Sequence, residues 1–250
     1  MTRRLPPELQ PVADSLAANH SYLWRTFREP GVTCRVCARP TAQGMCEECD
    51  SHHEARHPTA DLVGTYVYAP YRTQAYHVAK SYKGSRPGSS WGTMASLLAV
   101  GLRSHRDCLM TLSGSRDMRW AVVPSTSGRD GEHPLKKAVR EFAFPDRETV
   151  LDVARDSTDH RRFDPHHFLP RLTEVPDSLV VIDDSWVAGG HAQSAAAALK
   201  LAGVRYVALF VVARALDPRY PSTKTFLDQH TQQPFAWEPC PWTQDGICPA

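Results

Sequence analysis

Residues 178–203 read SLVVIDDSWVAGGHAQSAAAALKLAG. Leu179, Val180, Val181 and Ile182 form a continuous apolar run, the signature of a strand covered on both faces in a parallel sheet. Two carboxylates follow at Asp183 and Asp184, then a short loop with Gly189 and Gly190. From His191 to Leu201 the composition is mostly Ala, Leu and Lys, which favours helix. Gly203 stands where such a helix stops. Strand, acid pair, glycine turn and helix are the parts of a ligand site at the carboxyl end of a parallel strand, where backbone N–H groups at the helix start can hold a phosphate. Carboxylates beside a phosphate are unfavourable unless they serve a polyhydroxyl group or a metal. The pair therefore points to function more than to a solvated strand end.

The pattern around this stretch alternates in the same way. RWAVVPS (119–125) reads as a buried strand, 125–134 as a loop, and LKKAVREFAF (135–144) as a helix. ETVLDVA (148–154) reads as a second strand, and VRYVALFVVA (204–213) as the one after the helix. Strands separated by helices predict an α/β fold, a right-handed parallel sheet with helices on both faces. Upstream, 61–69 alternates as a strand. The stretch 71–84 reads as a helix whose Lys80 and Lys83 complement the helix dipole. Residues 91–105 form a further helix, with Cys108 beyond it as a packed thiol. Residues 8–28 carry apolar spacing for one or two short amphipathic helices.

Two long irregular segments remain. Residues 155–177 are polar and histidine-rich, with Arg155, His160, Arg161, Arg162 and Arg171, and a loop of that length inside a domain is a functional lid or a solvated charged segment. The tail from 217 is rich in Pro and aromatics and covers either an apolar face or a base pocket.

CRVCARPTAQGMCEEC (34–49) holds two Cys-x-x-Cys pairs with eight residues between them. Each pair forms a knuckle presenting two thiolates to one point, and four sulfurs close a tetrahedral zinc site. Such a ribbon has too little apolar surface to fold alone, so the metal would supply its folding energy. Cys34, Cys37, Cys46 and Cys49 are the ligands, with His52, His53 and His57 read as solvated loop histidines.

Totals narrow the class. A chain of 250 residues can bury a core, and 42% hydrophobic with 22% charged residues excludes wholesale disorder. The net charge of +2 argues neither for nor against nucleic acid. No apolar run reaches the roughly 20 residues of a membrane span, and the N-terminus has no secretory core segment. A cytoplasmic location is expected, where cysteines serve metals more than disulfides.

In this order the parts resemble the ComF family, a four-cysteine zinc ribbon followed by a type I phosphoribosyltransferase domain. The resemblance spans roughly residues 34–215. It rests on CRVC…CEEC, on AKSYKG (79–84), on VVPSTSG (122–128) and on VVIDDSWVAGGHA (180–192). The last is similar to the signature for 5-phosphoribosyl-1-diphosphate (PRPP). By this resemblance the chain divides into an N-terminal helical segment (1–30), a zinc ribbon (31–58), a phosphoribosyltransferase-like domain (59–216) and a Pro/aromatic tail (217–250).

The resemblance assigns roles residue by residue. Asp183 and Asp184 hold the ribose hydroxyls, directly or through Mg²⁺. The amides of Ala188, Gly189, Gly190 and His191 wrap the 5-phosphate. Ser125, Thr126, Ser127, Gly128 and Arg129 form the pyrophosphate loop, and Arg155, Arg161 or Arg162 meet the leaving group. Val187, Ala188 and His191 stand where the family has hydroxyl residues, which removes two or three phosphate hydrogen bonds and predicts a weak or degenerate transferase. The alternative is a non-enzymatic accessory protein in DNA uptake or processing that binds single-stranded DNA, with Tyr82 beside Lys83 and Trp91 stacking bases.

Overall fold

The structure is a computed structural model that describes residues 5–84, 88–125, 132–142, 147–154, 162–230 and 232–249. Its strands are β1 (Trp24–Arg25), β2 (Leu62–Pro70), β3 (Met118–Val122), β4 (Val150–Val153), β5 (Phe168–Arg171), β6 (Ser178–Trp186) and β7 (Tyr206–Leu216). The helices are α1 (Gln10–Asn19), α2 (Glu47–Glu54), α3 (Gln74–Ser81), α4 (Ser89–Ser104), α5 (Arg106–Ser113), α6 (Pro134–Phe142), α7 (Gly190–Leu201) and α8 (Pro221–Gln229). Five strands form the central sheet in the order β1-β2-β7-β6-β3. β2, β7, β6 and β3 run parallel, and only β1 at the edge is antiparallel.

The period of two along each strand divides the core between the two faces of the sheet. Val180, Ile182, Ala208 and Phe210 join one buried cluster with Leu97, Leu98 and Val139 of the helices on that side. Leu179, Val181, Leu209 and Val211 join a second cluster with Ala195 and Leu199 of α7, and this cluster includes the four N-terminal cysteines. Each Val, Leu, Ile or Phe among them contributes about 1.5–3 kcal/mol by leaving water. Leu179 to Ile182 of β6 and Val207 to Ala213 of β7 read as unbroken apolar runs because both faces are covered there.

The segment 148–154 departs from the expected arrangement. It does not add a long strand to the parallel sheet. The chain passes β3 with one parallel bridge, Trp120 to Glu148, and backbone hydrogen bonds at Arg147 and Thr149. It then turns away, and β4 pairs antiparallel with β5 in a separate two-stranded ribbon. β5 lies inside the stretch read as a long loop. The second half of 8–28 also differs, since β1 pairs with β2 where a second helix was one expectation.

Residues 232–249 return over the sheet. The Phe235 and Arg25 amides donate to the Leu23 and Gln233 carbonyls respectively, each at 3.0 Å. Phe235 and Trp242 are buried in the main core, so the tail covers an apolar face. A β-carbon on Gly64 would stand 2.8 Å from the Trp242 ring, so the strand backbone and indole are in direct contact. Among the described residues no helix is long and apolar enough to cross a membrane.

Candidate functional site

The apolar run of β6 ends at the acid pair, and the two carboxylates meet different surroundings. Asp184 is 4% exposed. It accepts hydrogen bonds from the Tyr82 hydroxyl at 2.7 Å and the Ser185 hydroxyl at 2.8 Å, and it pairs with the Lys83 ammonium. Burial pushes the Asp184 carboxyl up, but the charge of Lys83 and the hydrogen bonds from Lys83, Tyr82 and Ser185 outweigh it and hold the group below its usual range. Lys83 therefore serves the acid pair, not the helix dipole.

Asp183 is half-buried and opens toward solvent beside β6. Burial first, and then the Asp184 charge, raise its pKa to about 7. The Asp184 amide donates to its Oδ1 at 2.8 Å. The pair thus divides into one firmly ionised carboxylate and one that exchanges its proton near neutrality.

Beyond the acids the chain turns through Trp186, Val187 and Ala188 into α7. Gly189 adopts φ +88°, and a β-carbon there would sit 2.1 Å from the Trp186 indole. Only glycine satisfies both the left-handed backbone and the contact. Gly189→Ala is expected to lower stability by about 2–4 kcal/mol, combining backbone strain with overpacking. Urea unfolding measures it, and a loss below about 1 kcal/mol would mean that the turn relaxes freely.

This turn and the acids line a cleft of about 460 Å³. Asp183, Asp184 and Gly189 to His191 line it together with Lys80, Lys83, Ser125 and His133. The sequence-predicted positions Ser125, Asp183, Asp184, Ala188, Gly189, Gly190 and His191 are therefore brought together. Thr126, Ser127, Gly128, Arg129, Arg155, His160 and Arg161 lie outside the described residues. Arg162 is exposed and does not line the cleft. Arg171 pairs with Asp152 on the two-stranded ribbon. The segment after Arg162 is tied to α7 by the Asp164 amide, which donates to the Ser194 hydroxyl at 2.9 Å, and the His167 ring packs edge-on to His191.

Tyr82 is 3% exposed and committed to Asp184, and Trp91 packs edge-to-face on Phe142 with centroids 5.9 Å apart. Tyr82 is thus not an open platform for bases, while Trp91 is only partly buried.

Cys34, Cys37, Cys46 and Cys49 are buried, and their sulfurs lie within 4.8 Å of one another. The Cys37 and Cys46 sulfurs are 3.6 Å apart, close to the tetrahedral edge of about 3.8 Å that Zn–S bonds of about 2.3 Å require. The Val36 amide donates to the Cys34 sulfur at 3.4 Å, as in a metal-binding knuckle. The arrangement fits a zinc ion. His53 and His57 are exposed as expected, but His52 is buried and packs on Phe163 with centroids 5.3 Å apart.

Sequence reading missed Arg214, a charged residue within an apolar strand. It is 2% exposed. Its guanidinium donates to the Cys37 carbonyl at 3.0 Å, to the Trp186 carbonyl at 2.8 Å and to the Val187 carbonyl at 3.1 Å. It also reaches the Cys37 sulfur at 3.6 Å. One side chain thereby ties the cysteine centre to the turn that enters α7. No protein-family model matches the chain, and no curated protein matches it.

Proposed function

We propose that the cleft beside β6 binds PRPP or a related ribose 5-phosphate, in a ComF-like protein of phosphoribosyltransferase fold with weak or degenerate transferase activity. One observation carries this reading: the acid pair, the amides entering α7, Ser125 and Lys80 open onto a single cleft. Its volume lies in the range of small-ligand sites, about 300–1,000 Å³. The amides of Ala188 to His191 suit a terminal phosphate, and Asp183 suits a sugar diol. Lys80 and Ser125 suit a diphosphate. Four cysteines hold a structural zinc beneath the turn.

Asp183 is the acid with capacity left for a divalent cation, since Asp184 already holds Lys83, Tyr82 and Ser185. Mg²⁺ bound with PRPP would neutralise diphosphate charge. In transfer the residues act by position and charge. The acids favour a cationic ribose and Lys80 favours the departing diphosphate. Val187 and Ala188 offer no hydroxyl, and at about 0.5–1.5 kcal/mol for each lost hydrogen bond, affinity is roughly 10–100-fold below that of a hydroxyl-bearing loop.

Thermal-shift titration of the zinc-loaded chain with PRPP and Mg²⁺ tests the reading. A rising midpoint at millimolar ligand, abolished in Asp183→Asn, is expected. No shift at those concentrations removes the reading. Salt-sensitive binding to a single-stranded oligonucleotide, with no PRPP response, would favour the accessory role in DNA uptake or processing.

A further inference from the structure

The three cysteines outside the N-terminal ribbon are scattered in sequence, and Cys108 was expected to be an inert packed thiol. Folding brings them together. Cys108, Cys240 and Cys248 converge on His105, with their sulfurs and one ring nitrogen all within 4.8 Å of one another. His105 Nδ1 lies 3.7 Å from the Cys108 sulfur and 3.6 Å from the Cys248 sulfur. Zinc bonds of about 2.0–2.1 Å to nitrogen and 2.3 Å to sulfur give a tetrahedral N–S edge of about 3.6 Å.

The surroundings fit a metal centre as well. His105 caps the start of α5, and Cys108 follows three residues later, which puts both on one face of the helix. The other ring nitrogen, Nε2, is 2.8 Å from the Trp237 carbonyl. That contact sets Nε2 as the protonated nitrogen and leaves Nδ1 with a lone pair toward the cysteines. A backbone carbonyl behind a ligating histidine is the usual orienting partner in metal sites. On the tail, the Cys240 amide donates to the Gly246 carbonyl at 2.7 Å, closing a loop with Gly246 at φ +72° that returns Cys248 to the cluster. His105, Cys108 and Cys240 are no more than 3% exposed.

We propose that His105, Cys108, Cys240 and Cys248 bind a second zinc ion, a closed Cys₃His centre that fastens the C-terminal tail to α5. Four protein ligands leave no open position, so the role is structural. The ligand atoms crowd one point, which suits a mononuclear ion. A disulfide between two of the three cysteines is the competing chemistry, and it would leave His105 without a metal.

The full chain, purified without reducing or chelating agents, provides the test. Elemental analysis should find two zinc ions per chain, falling to one in Cys240→Ser and in Cys37→Ser, with each variant losing a different ion. His105→Cys should retain both. X-ray absorption at the zinc edge settles the ligands without any variant. Two centres average seven sulfurs and one nitrogen over two ions, whereas the ribbon alone gives sulfur only. One zinc per chain with a sulfur-only shell would overturn the proposal. So would a disulfide joining two of Cys108, Cys240 and Cys248 in the native chain.

Discussion

Replacing Arg214 with methionine is expected to destabilise the protein by about 3–5 kcal/mol, the scale for removing one partner from a buried charge network. The cause is electrostatic as much as a matter of hydrogen bonding. Four thiolates on one Zn²⁺ would make a dianionic centre, and the 4% or lower exposure of the cysteines keeps water from screening it. The guanidiniums of Arg214, Arg28 and Arg39 stand near it. Arg214 reaches the Cys37 sulfur and carbonyl, and Arg28 donates to the Arg35 carbonyl at 3.0 Å and the Val36 carbonyl at 3.1 Å. Methionine at 214 would take the Arg214 donor from the Cys37, Trp186 and Val187 carbonyls and remove the guanidinium that reaches the Cys37 sulfur. Arg214→Lys should lie between, because an ammonium keeps the charge but cannot span several carbonyls in one plane.

Urea unfolding and zinc retention measure the effect together. Arg214→Met should lose zinc to a chelator faster than the parent chain, and its response to PRPP should weaken because the turn at Trp186 and Val187 loses its anchor. A variant within about 1 kcal/mol of the parent, with unchanged zinc retention, would show that the guanidinium is not the link between centre and turn.

Asp183→Asn should stabilise the protein at pH 8 by roughly 1–3 kcal/mol while abolishing the ligand response, a trade between stability and function at one carboxyl. The direction follows from proton binding. The unfolded carboxyl releases its proton near 3.8, and the folded one keeps it to about 7. Between those values the folded state holds more protons, so stability falls as pH rises through that window. Below about pH 4 both states are protonated and the advantage of asparagine disappears. A gap between variant and parent that is equal at pH 4 and pH 8 would refute the assignment.

Asp184→Asn should behave in the opposite way. Its carboxyl is held low by Lys83, Tyr82 and Ser185, so its stabilisation is present above about pH 4 and lost in acid. Removing that charge strips Lys83 of its buried partner and destabilises the protein at neutral pH. The two adjacent acids are thus separable by denaturation across pH.

The strands and helices were legible where one face or both faces of a segment are decided locally. The alanine-rich α7 and the strand 61–69 stand within a residue of their expected places, and the apolar runs of β6 and β7 fall inside their strands, with β7 two to three residues later than 204–213. The cysteine centre was legible because its ligands lie in one stretch of 16 residues, from Cys34 to Cys49. β1 was not, because two residues carry no periodicity. β4 shows a strand pattern but not its neighbours, since its partner β5 is supplied by a segment whose histidines and arginines hide four strand residues.

Sequence by itself determined the parts that depend on near neighbours: a mostly parallel sheet, a four-cysteine centre, and an acid pair followed by a glycine turn into a helix. Tertiary structure alone decided how those parts are charged and fastened. Tyr82 meets Asp184 across 102 positions, and Arg214 meets Cys37 across 177. Cys248 meets His105 across 143. Periodicity and local spacing are blind to such distances. A carboxyl becomes a held anion or a labile acid according to which cation folding sets beside it, and a cysteine becomes a packed thiol or a metal ligand according to what three other side chains converge upon.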